Sequence, residues 1–347
     1  MFVIRPINQK DHQGLMELII DSGHGLTSLP KDEEVILNKI KLSERSFIHR
    51  SDRPSGELYL FVMEEIFTGK IVGVSGIISK IGGFEPYYFY RLNEEEYSSE
   101  MLKTTKKVRS LHLEAIHSGP AEICSLFLKK EFRNSQNGRF LSLSRFLFMA
   151  NDRKYFEDKV IAEMRGVVNE EGVSPFYNAV GANFLNIEFT KADFLSLKSK
   201  KFIDELIPKY PLIVDLLPEE AQKVVAQVHP QTAPAKRILE KEGFSFSGLV
   251  GVFEPGPVLK ANLDEVRTIR ESKVGIIADI AKAEFEGKMQ ILSRCGENFK
   301  ASLGHIQEIP DEANEQAVRI EAVTAAGLKL KLGDPIRYVT FRPEESS

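Results

Sequence analysis

A polar loop that joins an apolar run to an amphipathic stretch is the segment best suited to bind an anion. Glu122–Leu128 has the composition of a buried strand, and the loop after it ends at Gly138, where apolar residues at helical spacing begin. Backbone N–H groups and the positive end of the helix dipole bind phosphate at such a junction. Gly138 lets the backbone approach the ligand, while Arg133 and Arg139 add positive charge. A plain strand-to-helix turn with two solvated arginines is the alternative interpretation.

The spacing around this loop does not match two common phosphate-binding motifs. No Gly-Lys-Ser/Thr sequence follows it, so it is not a P-loop, and the three-glycine dinucleotide fingerprint is absent. Cofactors that bind through these motifs are therefore disfavoured.

Histidine titrates nearest neutral pH, and His229 is the strongest candidate for proton transfer. It lies in the block QVHPQTAPA (residues 227–235), just before a predicted helix over 232–242. A structural histidine at a helix start is the alternative interpretation. His117, which precedes a Ser-Gly pair, is a weaker candidate.

Glu163 and Arg165 alternate along the predicted strand Lys159–Val168, so their side chains should share one face. A carboxylate can pair with a guanidinium substrate, and an arginine can bind a carboxylate. Both residues are therefore candidates for substrate binding, and an ion pair on the sheet face is the alternative. The segment 82–118 contains further residues that would either line a substrate lid or pack in the core: Tyr87, Tyr88, Tyr90 and Arg91.

Composition narrows the class of protein. The 347-residue chain has 46 basic and 50 acidic residues, a net charge of −4 and a pI of 6.1, so no overall basic field attracts nucleic acid. The first residues are charged and no apolar run reaches the roughly 18 residues of a membrane span, which predicts a cytoplasmic protein with no membrane partner. Cys124 and Cys295 form neither a disulfide framework nor a metal cluster, and no metal site is predicted.

The elements that must position these residues follow an alternating order. A strand at 2–6, a helix capped by Asp11, a helix near 31–43 and a hairpin of 58–64 with 70–79 come first. A strand at 122–128, a helix from 138, a strand at 159–168 and a helix from Pro175 to about 183 follow. This order predicts a mixed α/β fold.

Two segments interrupt this order. Residues 82–118 show little periodicity and are interpreted as an insertion that shapes a surface; residues 190–228, broken by prolines, are a second and helical insertion. With them, residues 1–260 form the first predicted domain. Short apolar runs over 261–347 predict a small β-rich, barrel-like C-terminal domain, and a helix over 312–324 is the alternative for one run.

The loop and the order of elements resemble the GNAT superfamily of acyl-CoA-dependent N-acyltransferases. Arg133 and Gly138 match the first and last positions of its Q/R-x-x-G-x-G/A pyrophosphate loop, and Gln136 stands in place of the middle glycine. The resemblance implies a GNAT-like mixed sheet flanked by helices, to which the C-terminal domain is added.

Several ordered blocks resemble one family in that superfamily, the arginine N-succinyltransferases. They are GLTSLP (25–30), EMRGV (163–167), SPF (174–176), ADF (192–194), QVHPQTAPA (227–235) and LEKEGF (239–244), and they cover most of residues 1–270. The resemblance implies transfer of a succinyl group from succinyl-CoA to the α-amine of L-arginine, the first step of one route of arginine degradation. It also implies no permanently bound cofactor, small-molecule substrates and self-association of the chain.

The resemblance further implies roles for particular residues. His229 would be the proton donor, because an α-amine attacks the thioester directly after losing a proton and the departing thiolate gains one. The predicted succinyl-CoA site contains Ser125, Leu126, Leu128, Arg133, Asn137, Gly138 and Arg139. The predicted substrate residues are Glu163, Arg165 and His117, and the partner of the guanidinium is not assigned.

Two other functions stay open at this point. A different acyl donor, or a different amine such as ornithine, fits the same blocks. Gln136 in place of a glycine also fits a non-catalytic acyl-CoA-binding regulatory protein, whereas the presence of His229 favours an enzyme.

Overall fold

The computed structural model describes residues 1–23, 25–49, 53–133, 136–169, 171–282, 285–310 and 316–342. The strands are β1 (Phe2–Pro6), β2 (Leu58–Glu65), β3 (Lys70–Ile78), β4 (Tyr87–Ser99), β5 (Thr104–Ile116), β6 (Ala121–Leu128), β7 (Lys159–Glu163), β8 (Leu212–Ile213), β9 (Ser245–Val250), β10 (Pro257–Asn262), β11 (Lys273–Ala281), β12 (Gln290–Arg294), β13 (Ala301–Gly304), β14 (Ile306–Glu308), β15 (Ala317–Glu321) and β16 (Pro335–Thr340).

The α-helices are α1 (His12–Asp21), α2 (Glu33–Ile48), α3 (Asn137–Asn151), α4 (Pro175–Ala179), α5 (Gly181–Leu185), α6 (Phe189–Ser196), α7 (Lys201–Leu206), α8 (Glu219–Val224), α9 (Ala233–Lys241), α10 (Arg267–Arg270) and α11 (Ala322–Leu328). Short 3-10 helices lie at Gln9–Asp11, Lys130–Phe132, Arg153–Tyr155, Val214–Leu216, Pro230–Thr232 and Leu263–Glu265. Among the helices of the described ranges, none has the length and apolar character needed to cross a bilayer.

These elements form two compact units, each made of separate stretches of chain. Unit 1 contains Met1–Ser79, Ile123–Asp158 and Asn262–Ser347, and unit 2 contains Lys80–Glu122 and Lys159–Ala261. The division into domains 1–260 and 261–347 stays a prediction.

Unit 1 is built on a sheet in which strands from both ends of the chain meet. Its strand order is β14-β15-β11-β16-β12-β13-β1-β2-β3-β6, where β6 contributes from Ile123 onward. The predicted β2–β3 hairpin is confirmed, with Leu58 opposite Ile78 in an antiparallel pair. The C-terminal strands extend the N-terminal sheet, because Val3 of β1 lies opposite Ser302 of β13.

The first helix of unit 1 packs as its spacing predicts, but its start differs. Leu15, Leu18 and Ile19 of α1 are buried in one apolar cluster. Asp11 stands at the N-cap position without capping α1. Its carboxylate accepts hydrogen bonds of 2.7 and 2.8 Å from the guanidinium of Arg5 instead, so the predicted cap is wrong because an ion pair holds the side chain.

Unit 2 contains a second set of paired strands and the short helices α4 to α9. Its strand order is β7-β10-β9-β4-β5-β8, and Ala121 and Glu122 pair in parallel with Val160 and Ile161 of β7. An apolar core that includes aromatic residues from β4, α4 and the β9–β10 loop fills this unit. The mixed α/β fold is therefore confirmed.

The long hairpin of unit 2 is the main element that the sequence pattern did not reveal. Residues 82–118, interpreted as an irregular insertion, contain β4 and β5, which pair from Tyr87↔Ile116 to Ser99↔Thr104. The outer halves of both strands are exposed to solvent, so both faces carry polar residues. Alternation, the usual sign of a strand, is therefore lost there.

Other boundaries also differ from the prediction. The strand predicted at 159–168 ends at Glu163, and the helix from Pro175 breaks at Val180 into α4 and α5. Residues 190–228 are not helical throughout, since they include β8. In the C-terminal segment, β13 and β14 lie outside the short apolar runs that predicted strands. One of those runs, at 328–332, begins at the last residue of α11 and forms no strand.

Candidate active site

In unit 1, the strand that enters the predicted anion loop is distorted at Ser125. The backbone of this residue is left-handed, with φ of 52°, which non-glycine residues adopt only where their surroundings hold them. Its hydroxyl lies 2.9 Å from the hydroxyl of Ser28. A left-handed residue interrupts the regular ladder of a strand, so backbone groups near Leu126 can serve a ligand.

A buried arginine of α3 holds the residue before this distortion. The side chain of Arg145 is only 2% exposed, and it donates hydrogen bonds to the carbonyl of Cys124 at 3.3 Å and to the hydroxyl of Ser142 at 3.0 Å. Burial lowers the pKa of Arg145 to about 10. A buried cation hydrogen-bonded to neutral oxygens thus fixes the backbone of β6 beside Ser125.

The start of α3 leaves room for a ligand. A Cβ atom added at Gly138 would meet no atom of the described residues within 4 Å, apart from its chain neighbours and its own helix backbone. The first turn of α3 carries no acidic side chain, so the positive end of the helix dipole is not neutralised there. Asn134 and Ser135 of the predicted loop lie outside the described residues.

The other residues predicted for the anion loop have local partners. Arg133 is exposed and donates from Nε to the carbonyl of Leu128 at 2.8 Å, and Asn137 donates to the carbonyl of Phe132 at 3.1 Å. The first contact ties the loop to the end of β6, and the second ties the start of α3 to the 3-10 helix Lys130–Phe132. Arg139 donates from Nε to the carbonyl of Phe341 at 3.0 Å, so part of its guanidinium serves the C-terminal strands.

In unit 2, Glu163 ends β7 beside polar side chains of other elements. The hydroxyl of Tyr87 donates to its Oε2 at 3.0 Å, and the Nζ of Lys200 lies 4.5 Å from the centre of the Tyr87 ring. Gly251 leaves space here, because a Cβ atom on it would lie 2.8 Å from Oε1 of Glu163. Glu163 is exposed to solvent, yet the protein around it displaces bulk water and raises its pKa, against the effects of Tyr87 and Lys200.

Two residues further on, Arg165 lies beside Glu254. The Nε of Arg165 is 3.7 Å from Oε2 of Glu254, and each side chain is 13% exposed. Oε2 accepts a hydrogen bond of 3.2 Å from the N–H of Gly166. Within the described chain, Nε of Arg165 and Oε1 of Glu254 are buried without a hydrogen-bond partner. Each unpaired atom costs roughly 1–3 kcal/mol, so the pair is incomplete as it stands.

Close backbone contacts hold Glu254 next to Arg165. The loop between β9 and β10 folds back on the end of β7, where the N–H of Met164 donates to the carbonyl of Pro257 at 3.0 Å. A Cβ atom at Gly256 would lie 2.0 Å from the carbonyl oxygen of Met164. Only glycine fits this contact.

Asp193 on α6 adds a third carboxylate. Burial first, and then the charge of Glu163, raises its pKa to about 6, while Arg165 and Lys200 act in the opposite direction. For Glu254, burial first, with additions from Asp193 and Glu163 and against the charge of Arg165, raises the pKa to about 8. A bound cation would favour the ionised form of all three carboxylates. We call Glu163, Asp193 and Glu254 the acid group.

His229 is connected to this site through the backbone. Its N–H donates to the carbonyl of Arg165 at 2.8 Å. Its Nδ1 accepts a hydrogen bond of 3.2 Å from the N–H of Gln231, so the neutral ring carries its proton on Nε2. Partial burial, and then the charge of Arg165, lowers the pKa of His229.

Other predicted site residues lie elsewhere in unit 2. His117 is exposed after the end of β5, and no hydrogen bond or ion pair in the described part of the chain joins it to the acid group. Arg91 pairs with Glu114 across the hairpin, with one hydrogen bond of 2.8 Å. Tyr88 and Tyr90 are core residues. Among the residues that the structure describes, no three His, Cys, Asp or Glu side chains are arranged to hold a metal ion.

The whole chain is similar to a group of bacterial enzymes. Residues 2–268 match a family model described as "Arginine N-succinyltransferase beta subunit". The arginine N-succinyltransferase of Enterobacter sp. (strain 638) is 39% identical over 100% of both chains, and that of Yersinia pestis (strain Pestoides F) is 39% identical over 99% of both. A solved structure, the arginine/ornithine succinyltransferase subunit AI from Pseudomonas aeruginosa, has 31% identity, a TM-score of 0.87 and 99% coverage of both chains.

The chain belongs to the arginine N-succinyltransferase family. It is an acyltransferase, and the family, the enzyme class and the mixed α/β fold predicted from the sequence are confirmed. The blocks that suggested this family lie within residues 1–270, whereas the similarity extends over the whole chain. The C-terminal strands are therefore part of what this chain shares with its relatives.

Two residues of the site, Asp193 and Glu254, were not predicted from the sequence. Asp193 stands in the ADF block that carried the resemblance, but nothing in that block gave it a role. Glu254 precedes the sequence Pro-Gly-Pro (255–257), which by itself predicts only a turn. Periodicity cannot bring together residues from a helix, a loop and a strand end that are far apart in the chain.

Proposed function

We propose that this enzyme transfers the succinyl group of succinyl-CoA to the α-amine of L-arginine, the first step of arginine degradation by the succinyltransferase pathway. The amine of the substrate is itself the nucleophile, so the transfer is direct and needs no acyl-enzyme. The acid group is the observation that supports a cationic amine as the substrate. Carboxylates with raised pKa values are the ones whose ionised form a bound cation stabilises most.

We assign succinyl-CoA to the distorted strand and the helix start of unit 1. The backbone at Leu126, beside the left-handed Ser125, would bind the thioester arm. The open N-terminus of α3 at Gly138, with the exposed Arg133, would bind the pyrophosphate. The contacts already described give supporting roles at this end of α3 to Leu128, Asn137 and Arg139.

We assign the amino-acid substrate to unit 2. Glu163 is an accessible carboxylate, and Asp193 is a second one whose charge acts on the same region, so together they suit a guanidinium. Arg165 has an unpaired Nε and suits a substrate carboxylate. His117 has no contact that supports a role with this substrate.

His229 is the proposed proton donor. The C–S bond of the tetrahedral intermediate breaks with its electron pair on sulfur, and the thiolate takes a proton. The Nε2 of His229 is the ring nitrogen directed to donate, because Nδ1 is already an acceptor from Gln231. The lowered pKa of the ring makes the cation scarce at neutral pH, so the proton that His229 passes to sulfur would come from the attacking nitrogen, which loses its second proton as the amide forms.

A cytoplasmic location and self-association stay predictions, and so does the absence of a permanently bound cofactor. The regulatory alternative rests on Gln136, which stands exposed at the N-cap of α3. It is less favoured, because a binding protein has no need of a histidine with its Nε2 available as a donor.

A donor and amine panel tests the proposal. Release of CoA thiol would be followed with succinyl-CoA or acetyl-CoA against L-arginine, L-ornithine and L-lysine. We expect turnover with succinyl-CoA and arginine, and at least about tenfold lower kcat/KM with acetyl-CoA, which lacks the carboxylate by which a charged donor could recognise the succinyl group. Equal rates with acetyl-CoA would overturn the donor. Binding of succinyl-CoA without turnover of any amine would favour the regulatory alternative.

A further inference from the structure

We propose that Glu254 is the general base of the reaction: its carboxylate binds the α-ammonium of the amino-acid substrate and takes one proton from it before the amine attacks the thioester. This inference rests on the proposed function and adds a catalytic residue to it. The two conclusions fail separately in the experiment below.

The geometry of the Arg165–Glu254 pair carries the inference. In a hydrogen-bonded ion pair, nitrogen and oxygen are about 2.7–2.9 Å apart, but here the nearest atoms, Nε of Arg165 and Oε2 of Glu254, are 3.7 Å apart. Each partner also keeps one buried atom without a hydrogen bond in the described chain, Nε of Arg165 and Oε1 of Glu254. The pair therefore has an unused donor and an unused acceptor side by side.

An α-amino acid supplies the two groups that this pair lacks. Its carboxylate and its ammonium are attached to the same carbon atom, so they can reach an arginine and a glutamate that lie next to each other. Binding the carboxylate at Arg165 would bring the ammonium to Glu254. The unpaired Oε1 of Glu254 would then gain a charged donor.

The other two carboxylates are less suited to this step. Glu163 is exposed, and its Oε2 already accepts the hydrogen bond of Tyr87. Asp193 titrates near pH 6, well below the α-amine, so it is a weaker base than Glu254, which titrates near pH 8. The charged groups that act on Glu254 are Arg165, Asp193 and Glu163, and Arg165 alone among these three favours its ionised form.

The step balances in protons and electrons. One N–H bond of the ammonium breaks and its proton moves to the carboxylate of Glu254, which leaves a lone pair on nitrogen. That lone pair forms the bond to the thioester carbon. The nitrogen loses a second proton as the amide forms, and the thiolate gains one proton, so these two changes cancel. Glu254 releases the first proton to solvent, and the net reaction therefore releases one proton.

The experiment compares the pH dependence of kcat/KM for arginine in the intact wild-type enzyme and in Glu254→Gln. Glutamine keeps the shape of the side chain and an acceptor for the N–H of Gly166, but it cannot take the proton. We expect kcat/KM at pH 7 to fall about 10²–10⁴-fold. Because the variant must use amine that is already deprotonated, the deficit should shrink about tenfold per pH unit above pH 8.

Two controls keep the test specific. Glu114→Gln makes the same change of charge in unit 2, in a residue that pairs with Arg91, and should retain wild-type kinetics. Glu254→Asp keeps a base and should recover part of the lost rate. A Glu254→Gln deficit below about threefold at pH 7, or one that is equal at every pH, overturns Glu254 as the base while the proposed reaction stands. Absence of arginine turnover in the wild type removes both.

Discussion

The backbone N–H of His229 donates to the carbonyl oxygen of Arg165 at 2.8 Å, which joins the proposed proton donor directly to the strand end that carries the proposed carboxylate receptor. The same strand end contacts the loop that carries Glu254, since Gly166 donates to that side chain at 3.2 Å. Residues that would bind the amino acid and move its protons are thus held by backbone hydrogen bonds in unit 2. Substitutions of these side chains should change chemistry more than fold.

His229→Ala should separate turnover from donor binding. Loss of a general acid costs about 10²–10⁴-fold in kcat, whereas the backbone hydrogen bond to Arg165 is retained because alanine also has an N–H. Steady-state kinetics would measure turnover, and calorimetric titration with CoA would measure affinity, which should change less than about threefold. Unchanged turnover would remove His229 from the mechanism.

Gly138→Ala should stabilise the protein and weaken its use of succinyl-CoA. Beyond its own helix backbone and chain neighbours, no atom of the described residues lies within 4 Å of the added Cβ, and alanine favours a helix over glycine by about 0.5–1 kcal/mol. If the CoA pyrophosphate approaches this backbone, the methyl group will obstruct it and raise the KM for succinyl-CoA several-fold. Thermal unfolding and kinetics check the two effects together, and an unchanged KM would argue against pyrophosphate at this helix start.

Gly256→Ala should disrupt unit 2. The new Cβ would lie 2.0 Å from the carbonyl oxygen of Met164, a contact that only a backbone shift can relieve. Overpacking of this kind costs about 1–3 kcal/mol or more, and the shift would move Glu254 away from Arg165. Gly256→Ala should unfold at a lower urea concentration and have a lower kcat/KM for arginine than the wild type. Gly138→Ala, a glycine substitution in open space, is the control for the unfolding measurement only. Wild-type stability would show that the turn accommodates a side chain.

The stability of the protein should depend on pH through Glu254. Its pKa is raised from the ordinary 4.5 to about 8, so the folded state holds a proton that the unfolded state loses above pH 4.5. Stability is therefore lost as pH rises from about 4.5 to 8, at about 1.4 kcal/mol per pKa unit. Glu254→Gln removes this cost.

Urea unfolding at two pH values measures the effect. The variant should be more stable than the wild type by a few kcal/mol at pH 8, and the gain should disappear near pH 4.5, where the wild-type carboxyl is protonated in both states. A gain of equal size at both pH values would show that the carboxyl titrates normally. Stability gained together with activity lost is the expected pattern for a group placed for function.

The sequence predicted local features well where one face of an element is buried. The strands of the β2–β3 hairpin are largely apolar because they lie in the core of unit 1. Apolar residues recur at helical spacing in α1 because one face of this helix is buried. The β4–β5 hairpin was missed because its outer half is exposed on both faces. Pairing of β1 with β13 joins the two ends of the chain, which no local pattern encodes.

The candidate site could be predicted only in part for a similar reason. Glu163 and Arg165 were found because they alternate along a predicted strand, although that strand ends at Glu163, and His229 was found because its block resembles a family. Asp193 is placed at the site by the separate helix α6, and Glu254 by the close contact of Gly256 with the backbone of Met164. Neither placement is a local feature of the sequence. The raised pKa values arise from burial in the folded state, which is not visible in the sequence.

The most direct test of the central claim is to identify the product. The enzyme would be incubated with succinyl-CoA and L-arginine, thiol release would be counted, and tandem mass spectrometry would locate the acyl group. We expect one thiol per molecule of succinylarginine, with the succinyl group on the α-nitrogen and the guanidinium unmodified. Measurable binding of succinyl-CoA without succinylarginine, or acylation at the guanidinium, would contradict it.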